Sequence, residues 1–214
     1  MLAAATMWLG GVHPARAEGA ERPNPEGLAL MHAARAGLPI WASLRTAKGQ
    51  IVIELEPKKA PESTATFVGY ATGGLAWKQK GALTNAPLYD GTVFHRVIPG
   101  YLIQGGDPTG TSTGGPGQTT ADESQAPAQK ALHFTRGTVG LAHIPDPRGN
   151  GSQFFILVAD APWLDGRYTQ IGRVVAGMKV VDEIANAPRG PSDRPIDAVR
   201  LESVQVTEKP PARK

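Results

Sequence analysis

Two polar residues, Arg96 and Gln104, stand in otherwise apolar segments on either side of Pro99-Gly100. Pro-Gly is typical of a tight turn, so the two segments are predicted to form a hairpin. Across a hairpin the two side chains can lie on one face, where a guanidinium and an amide can together bind a peptide carbonyl. The alternative interpretation is structural, namely a salt bridge and a hydrogen-bonded core amide. On spacing alone, the structural interpretation is favoured.

The sequence gives little support for thiol, metal, phosphate-binding or hydrolase chemistry. The chain has no cysteine, which excludes disulfides, thiolate nucleophiles and Cys-ligated zinc. None of its five histidines forms a pair with metal-ligand spacing, so we predict no metal and no cofactor. The glycine-rich stretch 110–117 lacks the Lys-Ser or Lys-Thr of a phosphate loop. Ser152 lacks the Gly-x-Ser-x-Gly elbow of hydrolases, and the formal glycosylation sequon Asn150-Gly151-Ser152 is interpreted as a turn.

Length and composition indicate one domain with additional residues at its ends. The chain has 214 residues with 41% hydrophobic residues, enough for a substantial core. Its 26 glycines and 19 prolines favour a loop-rich all-β domain. The net charge of +3 comes from scattered Lys and Arg, so no nucleic-acid partner is predicted. No stretch approaches the roughly 18 apolar residues of a membrane span, and a monomer is the default expectation.

The N-terminal residues differ from the rest of the chain. Residues 2–12 are mostly apolar, and Ala15-Arg16-Ala17 resembles a small-x-small cleavage site. This pattern predicts a signal peptide over residues 1–17 and a periplasmic or secreted protein. Because no Lys or Arg precedes the apolar run, a cytoplasmic protein is the alternative. We expect residues 18–39 to be a flexible linker with a short helix at 28–36, residues 40–207 to be the domain, and residues 208–214 to be a tail.

Hydrophobic periodicity predicts the elements that position the polar pair. Apolar positions at helical spacing predict helices over 62–71 and 178–187. The long loops 75–91 and 108–136 are of a length that usually indicates function. Many short strands and few helices favour a barrel or a sandwich, and the pattern does not choose between them. Eight strands are predicted, at 41–47, 50–55, 92–98, 101–106, 137–142, 153–158, 170–175 and 199–206.

Three runs in the chain resemble the cyclophilin family. They are FHRVIPGYLIQGGD at 94–107, GTVGLAH followed by NGSQFFI within 137–156, and WLDGRY at 163–168. The resemblance extends from about residue 41 to about residue 206, with the runs in family order. It implies a closed eight-stranded antiparallel β-barrel capped by two α-helices, and peptidyl-prolyl cis-trans isomerase activity. The eight strands and two helices predicted from periodicity agree with that architecture.

The resemblance also implies a role for individual residues. The catalytic arginine falls on Arg96 and the amide-binding glutamine on Gln104. The remaining positions bind substrate: a proline pocket of Tyr101, Leu102, Phe155 and Leu164, the backbone of Ala142 and His143, the rim indole of Trp163, and Tyr168.

Four positions depart from the common family pattern. Tyr101 replaces Phe and Leu102 replaces Met, both of which keep the pocket apolar. His143 stands where Asn is common, and Tyr168 stands where many members have His. A phenol can still donate a hydrogen bond, although substrate preference is expected to shift.

The implied partners are proline-containing peptides and folding proteins, and Trp163 implies binding of a cyclosporin-type inhibitor. Rotation about a prolyl bond breaks no covalent bond, so the reaction needs neither nucleophile nor general base. A rival hypothesis is a binding module that holds proline-containing segments as a chaperone without turnover. Loss of the arginine would favour that module, whereas Arg96 and Gln104 are both present and favour the enzyme.

Overall fold

The computed structural model describes residues 22–120, 122–144 and 149–211 as a mainly β protein with three α-helices. Within these ranges, no helix combines the length and the apolar character needed to cross a bilayer. The helices are α1 (Pro25–Arg35), α2 (Pro61–Thr72) and α3 (Met178–Ala185). The strands are β1 (Ile40–Thr46), β2 (Gly49–Leu55), β3 (Trp77–Gln79), β4 (Ala82–Thr84), β5 (Arg96–Ile98), β6 (Leu102–Gly105), β7 (Thr138–Ile144), β8 (Gly149–Leu157), β9 (Gln170–Ala176) and β10 (Leu201–Thr207).

Eight of these strands form one antiparallel sheet in the order β10-β1-β2-β9-β7-β8-β6-β5. They correspond to the eight predicted strands, and their bounds differ by one or two residues except in two strands, where the change is larger. β8 begins at Gly149, four residues before its predicted start at 153. β5 is only three residues long, because residues 92–95 leave the ladder that joins it to β6.

The predicted closure of the barrel is wrong, because the sheet is open between its edge strands β5 and β10. The segments that precede these two strands meet around an isolated bridge between Val93 and Arg200, where Gly91 N also donates to Leu201 O at 2.8 Å. Beyond that bridge the chain turns away, and the side chain of Asp90 accepts the hydrogen bond from Val204 N at 3.1 Å. A side chain therefore occupies an edge amide of β10 that a paired strand would otherwise use.

The third helix, α1, packs against α2 and belongs to the folded domain. Asn24 caps it by accepting from Glu26 N at 3.1 Å, and Pro25 occupies the first helical position, where its missing N–H is harmless. The Asn24 amide also donates to Thr72 O at 2.9 Å at the end of α2. A Cβ on Gly27 would lie 2.5 Å from Thr72 Oγ1, so glycine permits this close approach. The helix predicted at 28–36 is thus present and begins earlier, at Pro25.

A small hairpin of β3 and β4 lies inside the predicted loop 75–91. Its turn uses positive φ at Lys80 and Gly81, 50° and 88°, as a two-residue hairpin requires. Only Trp77 among its strand residues is buried. With so little hydrophobic alternation, the hairpin had no periodic signal in the sequence.

Candidate active site

The hairpin of β5 and β6 places Arg96 directly opposite Gln104. The predicted hairpin is therefore present, but its loop has three residues, 99–101, whereas a two-residue Pro-Gly loop would pair Arg96 with Ile103. Residues paired across an antiparallel ladder point to the same face. The Nη1 atom of Arg96 lies 3.5 Å from Oε1 of Gln104. The intervening residues Val97 and Ile103 point to the other face and are fully buried. Because successive side chains point to opposite faces of each strand, Val97 and Ile103 lie on the core face of the hairpin, while Arg96 and Gln104 lie on the face towards the cavity.

The neighbouring strands bring an aromatic ring beside this polar pair. Phe155 of β8 pairs with Gln104 on one side and with Gly140 of β7 on the other. A Cβ on Gly140 would lie 2.4 Å from Cζ of Phe155, so only glycine leaves the ring in its present position. The ring stacks on Phe134, with centroids 5.9 Å apart. Phe134 comes from the long loop 108–136, and no sequence signal singled it out.

Nine of the ten predicted site residues line one cavity of about 250 Å³. The tenth, Trp163, lies beside it: its side chain is 57% exposed and its ring centroid is 5.8 Å from that of Tyr101. A larger cavity of about 680 Å³ lies between β2, β9 and Pro210-Pro211, and none of the ten residues lines it. The residues around the smaller cavity are Arg96, Tyr101, Leu102, Gln104, Ala142, His143, Phe155, Leu164 and Tyr168.

The floor of the cavity is apolar and separate from the main core. It is a second cluster of buried side chains, against which Tyr101 and Tyr168 pack from the rim. Such a floor suits an apolar ring and excludes water from it. The cluster consists of Leu102, Phe134, Phe155, Leu157, Ala161 and Leu164.

The polar edge continues from Gln104 to Gln153, whose role sequence reasoning missed. Gln104 Nε2 donates to Gln153 Oε1 at 2.9 Å, and Gln153 Nε2 donates to the carbonyls of Ser112 and Gly114 at 3.1 and 2.9 Å. Gln153 lies within the NGSQFFI run, but its spacing does not indicate these partners.

Buried Asp107 holds the loop that supplies those carbonyls. Its carboxylate accepts from Thr109 N and Oγ1, both at 2.8 Å, and from Gly114 N at 3.0 Å. Burial raises the pKa of Asp107, but these hydrogen bonds outweigh it, so the pKa lies below its usual value. Asp107 is therefore ionised at neutral pH and orders the loop behind Gln153.

On the opposite side of the cavity, His143 packs between Asp122 and Tyr168. His143 Nε2 lies 3.4 Å from Asp122 Oδ2, and its ring stacks on Tyr168 with centroids 4.7 Å apart. Burial raises the pKa of Asp122, but hydrogen bonds from Ser124 and Thr169, together with His143, bring it below its usual value. Two of the four residues that depart from the family pattern, His143 and Tyr168, are thus in contact with each other, which their separation in sequence did not indicate.

The chemistry available here is binding and electrostatic stabilisation. Among the described residues, no group of three or more His, Asp or Glu is arranged to hold a metal ion. Arg96 is 40% exposed, and its Nε lies 3.7 Å from Asp193 Oδ2. A cation and an amide beside a cavity with an apolar floor suit the class of proteins that bind an apolar ring next to a peptide carbonyl.

Comparisons with known proteins identify that class. Residues 41–206 match the family model for cyclophilin type peptidyl-prolyl cis-trans isomerases. Peptidyl-prolyl cis-trans isomerase B of Streptomyces anulatus is 46% identical over 172 residues, which cover 78% of this chain and 96% of that protein. Peptidyl-prolyl cis-trans isomerase A of Mycobacterium tuberculosis is 41% identical over 170 residues, covering 78% and 91%.

Comparison with solved structures indicates the same family. The crystal structure of a cyclophilin type peptidyl-prolyl cis-trans isomerase of Cryptosporidium parvum matches with a TM-score of 0.67 and 30% identity, covering 80% of this chain and 99% of that one. A second structure of the same protein, obtained in the presence of the dipeptide Ala-Pro, matches with a TM-score of 0.66 and 30% identity, covering 78% and 98%. The chain belongs to the cyclophilin family, and it is a peptidyl-prolyl cis-trans isomerase.

Proposed function

We propose that the 250 Å³ cavity holds the proline ring of a client protein and that Arg96 stabilises the twisted X-Pro amide. The reaction assists folding of proline-containing chains. It proceeds without a covalent intermediate and without a general base, since only a rotation takes place. Gln104 holds a neighbouring carbonyl of the substrate, and the backbone of Ala142 and His143 pairs with its main chain. Trp163 and Tyr168 contact the peptide at the rim.

The physical reason for an arginine lies in the electronics of the rotating bond. Amide resonance gives a barrier of roughly 18–20 kcal/mol. As the bond twists, resonance is lost and the proline nitrogen regains a lone pair. A guanidinium donates a hydrogen bond to that lone pair and stays charged at any physiological pH. Because the planar amide lacks this lone pair, the interaction favours the twisted state over either ground state.

One observation carries this proposal: nine predicted residues from all three family-like runs line a single cavity, with Arg96 and Gln104 at its polar edge. The Ala-Pro dipeptide present with the Cryptosporidium parvum protein supports a proline-containing ligand. An acceleration of about 10⁵ requires about 7 kcal/mol of differential binding. A few charge-assisted hydrogen bonds in a site with a dry floor are of that order.

The test is substitution of Arg96 by alanine, with cis-to-trans conversion of an Ala-Pro peptide as the readout. We expect Arg96→Ala to remove most turnover while the circular dichroism spectrum stays that of the wild type. Arg173→Ala is the matched control, because Arg173 is also ion-paired and exposed but lines the other cavity. A folded Arg96→Ala protein with wild-type turnover would contradict the mechanism. Tight peptide binding without turnover in the wild type would favour the chaperone module instead.

We also propose export, inhibitor binding and a monomeric state. Residues 1–17 lie outside the described residues, and the support for a signal peptide is their apolar run and small-x-small site. Mass spectrometry of the native protein is expected to find Glu18 at the N-terminus. An intact residue 1 would contradict export.

Exposed Trp163 beside Tyr101 supports binding of cyclosporin. Sedimentation at micromolar concentration is expected to give a monomer, and a dimer mass would contradict that state.

A further inference from the structure

The guanidinium of Arg96 makes two contacts with the protein, and they use different edges. Nη1 lies 3.5 Å from Gln104 Oε1, within the cavity lining. Nε lies 3.7 Å from Oδ2 of Asp193, on the turn that follows α3. Because a guanidinium is planar and rigid, restraining Nε and Nη1 together sets the orientation of the whole group. Its remaining donors are then left for a substrate.

The backbone of this turn is held in a conformation that its residues rarely adopt. Ser192 and Asp193 have φ of 60° and 56°, in the left-handed region. Two consecutive non-glycine residues in this region persist only when the surrounding structure imposes them, and such positions concentrate at functional sites. In this conformation the Asp193 carboxylate faces Arg96, which lines the cavity.

Several contacts impose that conformation. Gly190 N donates to Arg194 O at 2.8 Å, and Ile196 N donates to Pro188 O at 2.8 Å, so the segment closes on itself. The Arg194 side chain donates to the carbonyl of Gly110, in the loop that Asp107 orders. The turn is thereby tied to the same loop that supports Gln153 on the other side of the polar edge.

The carboxylate of Asp193 is itself restrained from both sides. Oδ1 lies 3.4 Å from Nε of Arg189, while Oδ2 faces Arg96. Each carboxylate oxygen of Asp193 thus contacts a different arginine, which restricts rotation of the carboxylate away from Arg96. All three side chains are between 37% and 40% exposed, which means that dissolved salt screens these pairs.

We propose that Asp193 is a positioning residue, which holds the Arg96 guanidinium in the plane that presents its Nη atoms to Gln104 and to the substrate. This inference rests on the proposed role of Arg96. Asp193 acts through Arg96 and does not touch the substrate. Its contribution is therefore realised when the amide twists, so its loss lowers kcat and leaves KM nearly unchanged.

The test compares Asp193→Asn, Asp193→Glu and Asp197→Asn on an Ala-Pro peptide, with kcat and KM measured separately at low and high salt. Asparagine tolerates the left-handed region, so Asp193→Asn removes the charge without straining the turn further. Asp197 provides the matched control, because it is exposed four residues later and its carboxylate forms no ion pair in the described part of the chain.

We expect Asp193→Asn to lower kcat about two- to fivefold, the range of a half-exposed ion pair. We expect Asp193→Glu to recover part of that loss, Asp197→Asn to match the wild type, and high salt to bring the wild type towards Asp193→Asn. In ¹⁵N spectra, the Arg96 Nε–H signal should broaden or shift in Asp193→Asn only.

A wild-type kcat in Asp193→Asn, an equal loss in Asp197→Asn, or a change confined to KM would overturn the positioning role. These outcomes are separable from failure of the proposed mechanism, which would appear as retained turnover in Arg96→Ala. If Arg96→Ala is inactive and Asp193→Asn is fully active, the inference about Asp193 fails alone.

Discussion

Gln104 Nε2 donates to Gln153 Oε1 at 2.9 Å, and this bond determines which end of the Gln104 amide faces Arg96. With its nitrogen engaged by Gln153, Gln104 presents Oε1 to the guanidinium. Gln153 is held in turn by two carbonyls of the loop around Asp107. The polar edge of the cavity is therefore a series of oriented amides, Gln104 and Gln153, that reaches back to the loop ordered by buried Asp107.

Interrupting this series of hydrogen-bonded amides is expected to lower catalytic activity. Gln153→Leu removes the acceptor of Gln104 and both donors to the loop, so Gln104 is free to rotate. We expect kcat/KM on an Ala-Pro peptide to fall roughly tenfold, equivalent to about 1.4 kcal/mol, since the three lost hydrogen bonds are partly buried or exposed and act on the substrate only through Gln104. Gln205→Leu, at an exposed position of β10, is the control. Equal activity of the two variants would show that Gln104 needs no support.

Gly140 tests whether the position of the Phe155 ring matters. Alanine there places a Cβ 2.4 Å from Phe155 Cζ and 3.0 Å from a ring carbon of Phe134, so the Phe155 ring must move. We expect Gly140→Ala to raise KM several-fold and to lower the free energy of unfolding by about 1–3 kcal/mol, the usual cost of overpacking. Gly190→Ala, with no atom within 4 Å of the added Cβ, should change neither quantity. An unchanged KM in Gly140→Ala would show that the ring is not a wall of the substrate site.

His95 is expected to make stability depend on pH. It is 1% exposed, so its ring is shielded from solvent. Burial lowers its pKa, with Arg194 and Arg96 acting in the same direction, while Asp107 and the side chain of Gln153 oppose them. Below pH of about 6.5 the unfolded chain binds a proton that folded His95 rejects, so stability decreases as pH falls from there towards the folded pKa, by up to about 1.4 kcal/mol per pH unit.

The measurement is urea unfolding at pH 7.5, 6.5 and 5.5 for the wild type and His95→Leu. His95→Leu should show the smaller decrease in the free energy of unfolding, since leucine binds no proton. His32→Leu, at an exposed position of α1, should keep the wild-type dependence. If wild type and His95→Leu lose stability in parallel, protonation of His95 is not the cause.

Cyclosporin is expected to inhibit turnover by occupying the cavity and packing against Trp163. The indole is 57% exposed and offers both apolar area and an N–H donor. Trp163→Leu should weaken inhibition by roughly tenfold or more, as loss of an interface tryptophan does. No inhibition of the wild type at high micromolar cyclosporin would contradict the prediction. In that case Tyr168→His tests whether the phenol stacked on His143 is responsible.

The eight main strands, α2 and α3 were predictable because their apolar residues repeat at the periods of strands and helices. The small hairpin β3–β4 lacked that signal, since its strands are short and mostly exposed. The closed barrel was inferred from the resemblance, and it proved wrong where β5 stops after three residues and Asp90 occupies an amide of β10. No periodicity within a strand reveals where its pairing with a distant strand ends.

The sequence by itself predicted a hairpin at Pro99-Gly100, on which Arg96 and Gln104 can share a face, and the structure decided that they stand directly opposite each other. Its family motifs also identified the lining of the cavity. Only the tertiary structure decided what orients that lining: Gln153 behind Gln104, Phe134 behind Phe155, Asp122 beside His143 and Asp193 beside Arg96. These partners lie some 20 to 100 residues apart in the chain. The secondary-structure propensity of a short segment does not indicate which distant residues it will contact. Those contacts depend on how the whole sheet and its loops pack.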